Sequence, residues 1–353
     1  MSTTDHVLVT GGFGLVGTAT VEKLVADGRR VTVTDLDTPA NREAAASLTG
    51  ADVRWCDLTD PKALAALLEA VVPTAVIHLA AVIPPFCYSR PALARKVNVG
   101  ATQSLTTAAA QMAIPPRLVV ASSIATYGPR NPHRVNDILT AETAQQPADN
   151  YGTHKVEAER IVRDSGLEWV IPRLGGVLTT RPRLTMHLDM IYFEGLLPTD
   201  GRIQTVDVRD VAHAFVAATT ADVVGEVLLI GGDTSHRLTQ GDIAGATAAA
   251  VGLVRGLPPG RPGDPDSADG WFATDWMDTA RAQEALAFQH HSWPAMLSQT
   301  RRNAGVRWYA LRLAAPLVRV LLKRRSAYYR KPGRFADPWQ AIRERWGDPR
   351  RES

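Results

Sequence analysis

The stretch Thr10-Gly11-Gly12-Phe13-Gly14-Leu15-Val16-Gly17 decides the reading of this chain. It follows the apolar run Val7–Thr10, which reads as a strand, and it opens Gly14–Asp27, which reads as a helix. Glycines between a strand and a helix let the backbone turn tightly and approach a pyrophosphate. The helix N-terminus beyond them offers unpaired N–H groups and the positive end of its dipole. Gly11, Gly14, Leu15, Val16 and Gly17 are therefore candidate dinucleotide ligands. The second predicted strand ends in Asp35, 18 residues after Gly17, where a carboxylate accepts the two hydroxyls of an adenosine ribose and repels a 2′-phosphate. That favours NAD over NADP, although Asp37 and Arg42 lie close by and could share or offset the charge.

The same alternation continues outward from the loop. Arg30–Thr34, Val53–Trp55, Ala75–Leu79 and Arg117–Ala121 read as further strands, almost wholly apolar, as parallel strands covered on both faces are. Pro61–Ala70, Ala92–Met112 and Tyr151–Ser165 read as helices, and Trp169–Pro172 and Val227–Ile230 as two more strands. The fold class expected is α/β, a Rossmann-type doubly wound parallel sheet. Residues 1–175 form the dinucleotide-binding domain, its sheet completed by 203–232. Residues 176–202 and 233–300 form a smaller substrate region, with the Pro- and Gly-crowded Arg255–Gly270 as a loop. Asp57-Leu58 follows the third strand, where Asp57 could reach adenine or cap the helix beginning at Pro61.

A second constellation is Tyr151-Gly-Thr-His-Lys155. On a helix, positions four apart share a face, so the Lys155 ammonium is expected beside the Tyr151 phenol and to lower its pKa. About thirty residues upstream the fifth strand ends in Ser122-Ser123, at the carboxyl edge where ligands bind in such sheets. Ser123, or Ser122 if the strand end is shifted by one residue, could bond the same substrate oxygen as the phenol. Ser, Tyr and Lys converging beside a nicotinamide make an alcohol–ketone site.

On these residues the chain resembles the extended short-chain dehydrogenase/reductase family, also called the NAD-dependent epimerase/dehydratase family, over about residues 5–290. The resemblance is carried by Thr10–Gly17, Asp35, Asp57-Leu58, His78-Leu-Ala-Ala81, Asn98-Val99, Ser122–Gly128, Tyr151 with Lys155, Pro172-Arg173 and Val206-Asp-Val-Arg-Asp210. It implies that Leu79, Ala80 and Ala81 line the cofactor, while His78 reads as a buried strand-end histidine. Asn98 either stabilises its helix or touches the cofactor, the family's following glycine being displaced. The departures narrow the reaction. Where the family's sugar dehydratases carry an Asp-Glu pair, this chain has Ile124 and Ala125, with no acid to protonate a leaving hydroxyl. Gly176 stands where its nucleotide-sugar enzymes usually have asparagine. Arg181, Arg183 and Arg209 could still bind an anion, or be solvated surface residues. The apolar runs Val82–Phe86 and Met186–Phe193 suit a hydrophobic alcohol or ketone, or are simply core.

Composition limits what else the chain can be. With 353 residues, 45% hydrophobic and 21% charged, it is neither disordered nor a disulfide scaffold. Cys56 and Cys87 have no metal-ligand spacing, so no metal is expected, and a cytoplasmic protein is the default. The net charge of +3 conceals a division. Residues 301–353 hold 15 Lys and Arg against 4 Asp and Glu, a balance of +11, leaving the first 300 residues at −8. This tail reads as a basic amphipathic helix around Arg307–Lys323, expected to kink at Pro316. Packing on the body or on a second subunit is favoured, because six of the eight tryptophans follow residue 270 and need burial. A membrane-surface contact is the alternative, and a nucleic-acid partner is not expected. The expectation is an oxidoreductase, a homodimer acting on a small molecule, with a 4-epimerase holding its NAD, or a non-catalytic NAD sensor, as the other readings.

Overall fold

The computed structural model describes residues 5–181, 188–255, 257 and 260–351. The strands in chain order are His6–Thr10 (β1), Arg30–Asp35 (β2), Asp52–Trp55 (β3), Ala75–His78 (β4), Arg117–Val120 (β5), Ser122–Ser123 (β6), Trp169–Leu174 (β7), Gly176–Leu178 (β8), Arg202–Asp207 (β9), Glu226–Ile230 (β10) and Arg237–Thr239 (β11). The main sheet is ordered β10-β7-β5-β4-β1-β2-β3, with β6 continuing alongside β7, and every pairing in it is parallel. Val7 and Val9 of β1 project into a core shared with Val31, Val33 and Phe215, and Leu8 into the opposite one with Leu64, Leu68 and Leu105. Alternate residues of one strand thus fill two cores, which is why the strand reads as an unbroken apolar run.

Register brings the chemistry to one edge. Thr10 pairs with Thr34 and with His78, Asp35 with Trp55, and Ser122 with Arg173. The glycine loop, Asp35, Leu79–Ala81 and Ser123 therefore all leave the sheet at its carboxyl edge.

The smaller region is built on a second sheet, β11-β9-β8. This corrects the expected sheet boundary: Glu226–Ile230 joins the main sheet, but Arg202–Asp207 does not. It lies between Gly176–Leu178 and Arg237–Thr239. The Gly175-Gly176 pair at the start of β8 permits the pairing, since a Cβ at Gly175 would stand 2.5 Å from the Gln204 carbonyl oxygen.

The tail is not one helix. Helix Trp293–Ala304 leads into helix Arg307–Arg325, which runs unbroken through Pro316, and the chain then returns as helix Pro338–Trp346. That last helix packs against the body: Ala341 and Ile342 are buried with Cys87, Tyr88, Phe193 and Leu196. Trp346 meets the rings of Tyr192 at 5.7 Å and Phe193 at 6.0 Å. No helix among the described residues is long and apolar enough to cross a membrane.

Candidate active site

The glycine loop is held by contacts that tolerate no side chain. A Cβ on Gly11, whose φ is +67°, would lie 2.7 Å from the Ala80 amide nitrogen, and one on Gly17 would lie 2.2 Å from the Gly11 carbonyl oxygen. Gly14 caps helix Leu15–Ala26 without any side-chain hydrogen bond, so the helix end faces the edge with its own backbone donors. Asp35 turns toward this loop, accepting from the Phe13 N–H at 3.1 Å and the Leu36 N–H at 2.8 Å. Arg42 does not offset it, because its guanidinium is committed to Asp37 at 2.5 and 2.6 Å. Phe13 and Trp55, with ring centroids 5.6 Å apart, flank the same end of the sheet.

Other candidates divide between cleft and scaffold. Leu79, Ala80 and Ala81 are half-buried, and the Leu79–Ala80 backbone lies directly against Gly11. Asn98 is buried and clamps this segment, accepting from the Val82 N–H at 2.7 Å and donating to the Val82 carbonyl at 3.0 Å. Its side chain thus holds the backbone just after Ala81 rather than its own helix. Asp57 is exposed, with its carboxylate on the Thr59 N–H and hydroxyl, whereas Asp60 caps the helix from Pro61. The capping role considered for Asp57 therefore belongs to its neighbour. Leu58 points its side chain into the core beside Leu64. His78 bonds Thr10 at 2.7 Å and Thr102 at 3.3 Å, and burial brings it down to about 3, so it is a neutral structural group.

At the centre of the edge stand Ser122, Ser123, Tyr151 and Lys155. Ser122 donates to Glu159 at 2.5 Å. Arg173 grips the same carboxylate with two bonds of 2.8 and 2.7 Å and donates to the Tyr127 hydroxyl at 2.5 Å. Burial works against the Glu159 charge, but the Arg173 hydrogen bonds hold its carboxyl below the ordinary range. Ser122 is thus spent on the scaffold, and Ser123, whose hydroxyl accepts from the Ala125 N–H at 3.1 Å, is the serine whose side chain acts on the Tyr151 phenol. Glu159 continues the Tyr151, Lys155 spacing by one more helical turn; that period was the available signal for it.

One electrostatic expectation is reversed. Burial pushes the Tyr151 phenol up, the neighbouring Cys87 and Asp149 add to this, and only the Ser123 hydrogen bond opposes it. Lys155 does not act as expected because its ammonium sits 5.9 Å from the ring centroid and donates to the Ala121 carbonyl at 2.7 Å. Burial lowers Lys155 itself to about 8, against the support of Glu159. The phenol is therefore a held proton rather than a ready base.

The first turn of helix Asn150–Arg163 is secured from two directions the sequence does not announce. Asp149 caps it through the Gly152 N–H at 2.8 Å and accepts the Tyr88 hydroxyl at 2.5 Å. The Asn150 N–H donates to the Pro349 carbonyl at 2.7 Å, and its side-chain amide donates to Cys87 at 3.2 Å and Arg351 at 3.3 Å. The chain's last described residues thus tie down the residue next to Tyr151.

Around this centre, Ile124 and Ala125 are buried apolar side chains, and Tyr151, Val82, Tyr192 and Phe272 are each partly buried against the cluster that holds Cys87, Tyr88 and Phe193. The two apolar runs are thus partly core, joined through Phe193 to the tail. Arg181 pairs with Glu22 and Arg209 with Asp207, while Arg183 and Met186 lie outside the described residues. In the Val206–Asp210 run, Asp207 caps the next helix and buried Asp210 holds His290 and His291. Among the described residues no cluster of His, Cys, Asp or Glu could hold a metal ion.

Residues 7–231 match the NAD dependent epimerase/dehydratase family. The chain belongs to that family. It is 30% identical over 175 residues to the D-erythronate dehydrogenase of Cupriavidus necator, an alignment covering 45% of this chain and 50% of the relative. It is 33% identical over 181 residues to UDP-glucose 4-epimerase 4 of Oryza sativa subsp. japonica, covering 48% of each. The chain thus spans about half the length of these curated relatives. The UDP-glucose 4-epimerase of Thermus thermophilus, solved in complex with NAD, superposes with a TM-score of 0.68 at 24% identity, over 85% of this chain and 99% of that one. NAD is the family's cofactor, and the residues here fit it: a helix N-terminus without a side-chain cap, glycines with no room for side chains, and the Asp35 carboxylate turned onto that loop with no ion-pair partner among the described residues.

Proposed function

We propose that this family member interconverts a secondary alcohol and its ketone on a small, largely apolar substrate. NAD, when bound, supplies the hydride chemistry. The observation that carries the reading is the division of labour at the strand end: Ser122 is locked to Glu159, and Ser123 meets Tyr151. In the reducing direction the Tyr151 phenol, kept protonated by burial, gives its proton to the carbonyl oxygen while Ser123 donates a hydrogen bond to the same atom. In the oxidising direction the proton returns from the alcohol to the Tyr151 oxygen. Lys155, anchored on the Ala121 carbonyl, would offer positive charge and its remaining donors to the cofactor ribose. The apolar side chains near Tyr151 and the buried Ile124 and Ala125 support an apolar substrate and argue against dehydration, for which no acid stands in place.

A 4-epimerase is the second reading, favoured by the names of the rice and Thermus proteins. The same Ser123, Tyr151 and Lys155 would serve it. Purified protein given NAD and a panel of hydrophobic secondary alcohols is expected to produce NADH, and Tyr151→Phe to cut that rate by roughly 10²–10⁴-fold. Turnover of nucleotide sugars alone, with no net NADH, would establish the epimerase instead. A Tyr151→Phe protein with unchanged activity would overturn both.

A further inference from the structure

The helix Arg307–Arg325 carries two apolar faces, and the fold uses only one. Trp308, Leu311, Ala315, Val318 and Leu322 recur along one side and are buried or half-buried. Trp308 anchors this face, donating from its indole to the Ala249 carbonyl at 3.2 Å beneath the guanidinium groups of Arg301 and Arg312. On the opposite side Val306, Tyr309, Leu313, Leu317, Val320 and Leu321 form a stripe at the same helical spacing, with Val306 and Leu313 each 85% exposed and Leu317 66%. Six large apolar side chains aligned on one helix are more than the scattered exposure normal to a protein surface.

Charge decides what covers the stripe. Six of the helix's 19 residues are Lys or Arg: Arg312, Arg319 and Lys323 border the stripe on one side, Arg307 and Arg325 on the other, and Arg324 stands at its end. The sequence has no Asp or Glu between Glu284 and Asp337. A second copy laid on this face would bring basic flank against basic flank. An anionic lipid surface meets both features: the stripe enters the acyl boundary, while the long basic side chains reach out to the headgroups. The helix is about 28 Å long at 1.5 Å per residue and lies along such a surface, as none of the described helices is built to cross one. We infer that Arg307–Arg325 is an interfacial helix that docks this protein on anionic bilayers. The inference is independent of the reaction assigned to the site.

The test is co-sedimentation of the full chain with phosphatidylcholine vesicles containing about 30 mol % phosphatidylglycerol, and with pure phosphatidylcholine vesicles. Binding is expected to the anionic vesicles only and to weaken with salt. Leu313→Ser with Leu317→Ser should weaken it at least tenfold, and Arg319→Gln with Lys323→Gln by roughly 25-fold, taking about 1 kcal/mol per basic residue. Circular dichroism of the variants should match the parent, since these side chains face solvent. Two results overturn the inference: no sedimentation with either vesicle, or an oligomer in solution that Leu313→Ser with Leu317→Ser dissociates, which would make a second copy the occupant.

Discussion

At the residue scale, Lys155 shows how the site sets stability against chemistry. Its ammonium is buried with one hydrogen bond to Ala121 and a carboxylate, Glu159, already engaged by Arg173. Burial lowers it from 10.5 to about 8, so keeping the charge at neutral pH costs on the order of 3 kcal/mol, of which the Ala121 hydrogen bond returns about 1. Lys155→Met is therefore expected to abolish turnover while raising unfolding stability at pH 7 by about 1–2 kcal/mol. The sign of the pH dependence follows. Between about 8 and 10.5 the unfolded chain binds the proton and the folded chain does not, so the parent gains stability with rising pH across that window. The variant's advantage should be full below pH 8 and vanish above about 10.5, a pattern that denaturant melts at several pH values would read. A constant difference across the range would mean that the lysine is solvated. Tyr151 and Lys155 could be found in the sequence because one helical turn separates them. The direction of the tyrosine pKa could not, because it is set first by burial and by Cys87 and Asp149 nearby, while the Ala121 carbonyl holds the ammonium.

At the element scale, helix Asn150–Arg163 is the piece that everything else positions. Its period placed Tyr151 and Lys155, but not the cap that Tyr88 braces, nor the tether from Pro349 and Arg351 to Asn150. Those partners are some 60 and 200 residues away in sequence, and no local pattern reports them. The central main-sheet strands were legible for the opposite reason: β1, β4 and β5 are buried on both faces and read as short apolar runs. The second sheet was not, because β8 and β11 have three residues each and alternate too briefly to show a period. The tether makes a prediction of its own. Ending the chain after Gly347 removes both hydrogen bonds to Asn150 but leaves the packed Pro338–Trp346 helix in place. The expected result is a fall in kcat/KM of roughly tenfold from a misplaced Tyr151, with melting temperature nearly unchanged and NAD affinity intact. Weakened NAD binding in isothermal titration would instead show that the tether supports the glycine-loop edge.

At the scale of the whole molecule, the division between an acidic body and a basic tail turns out to be two relationships rather than one. The segment after Ser326 is part of the core: Ile342 is wholly buried, Ala327, Ala336 and Ala341 nearly so, and Tyr328 donates to the Leu196 carbonyl at 2.6 Å. Arg261 reaches the Lys331 carbonyl at 2.6 Å and the Pro332 carbonyl at 3.1 Å from the Pro- and Gly-rich loop, binding loop and tail together. Helix Arg307–Arg325 stands between these attachments with one apolar face outward. Sequence reasoning offered packing and membrane contact as competitors for a single helix, whereas the fold assigns burial to the distal part and exposure to the proximal part. Deleting residues 326–353 should therefore uncover Cys87, Tyr88, Phe193 and Leu196 together, a loss of several buried side chains at roughly 1.5–3 kcal/mol each. That total rivals the whole stability of an ordinary domain, so the truncated chain is expected to lose its cooperative melt or to aggregate on expression. Changing Leu313 and Leu317 to serine removes a similar kind of side chain from a face left exposed by the described residues, and should shift the melting temperature by no more than about 2 °C. Equal destabilisation by the two changes, measured by calorimetry, would refute the division, because it would require the outer stripe to be buried as deeply as Ile342.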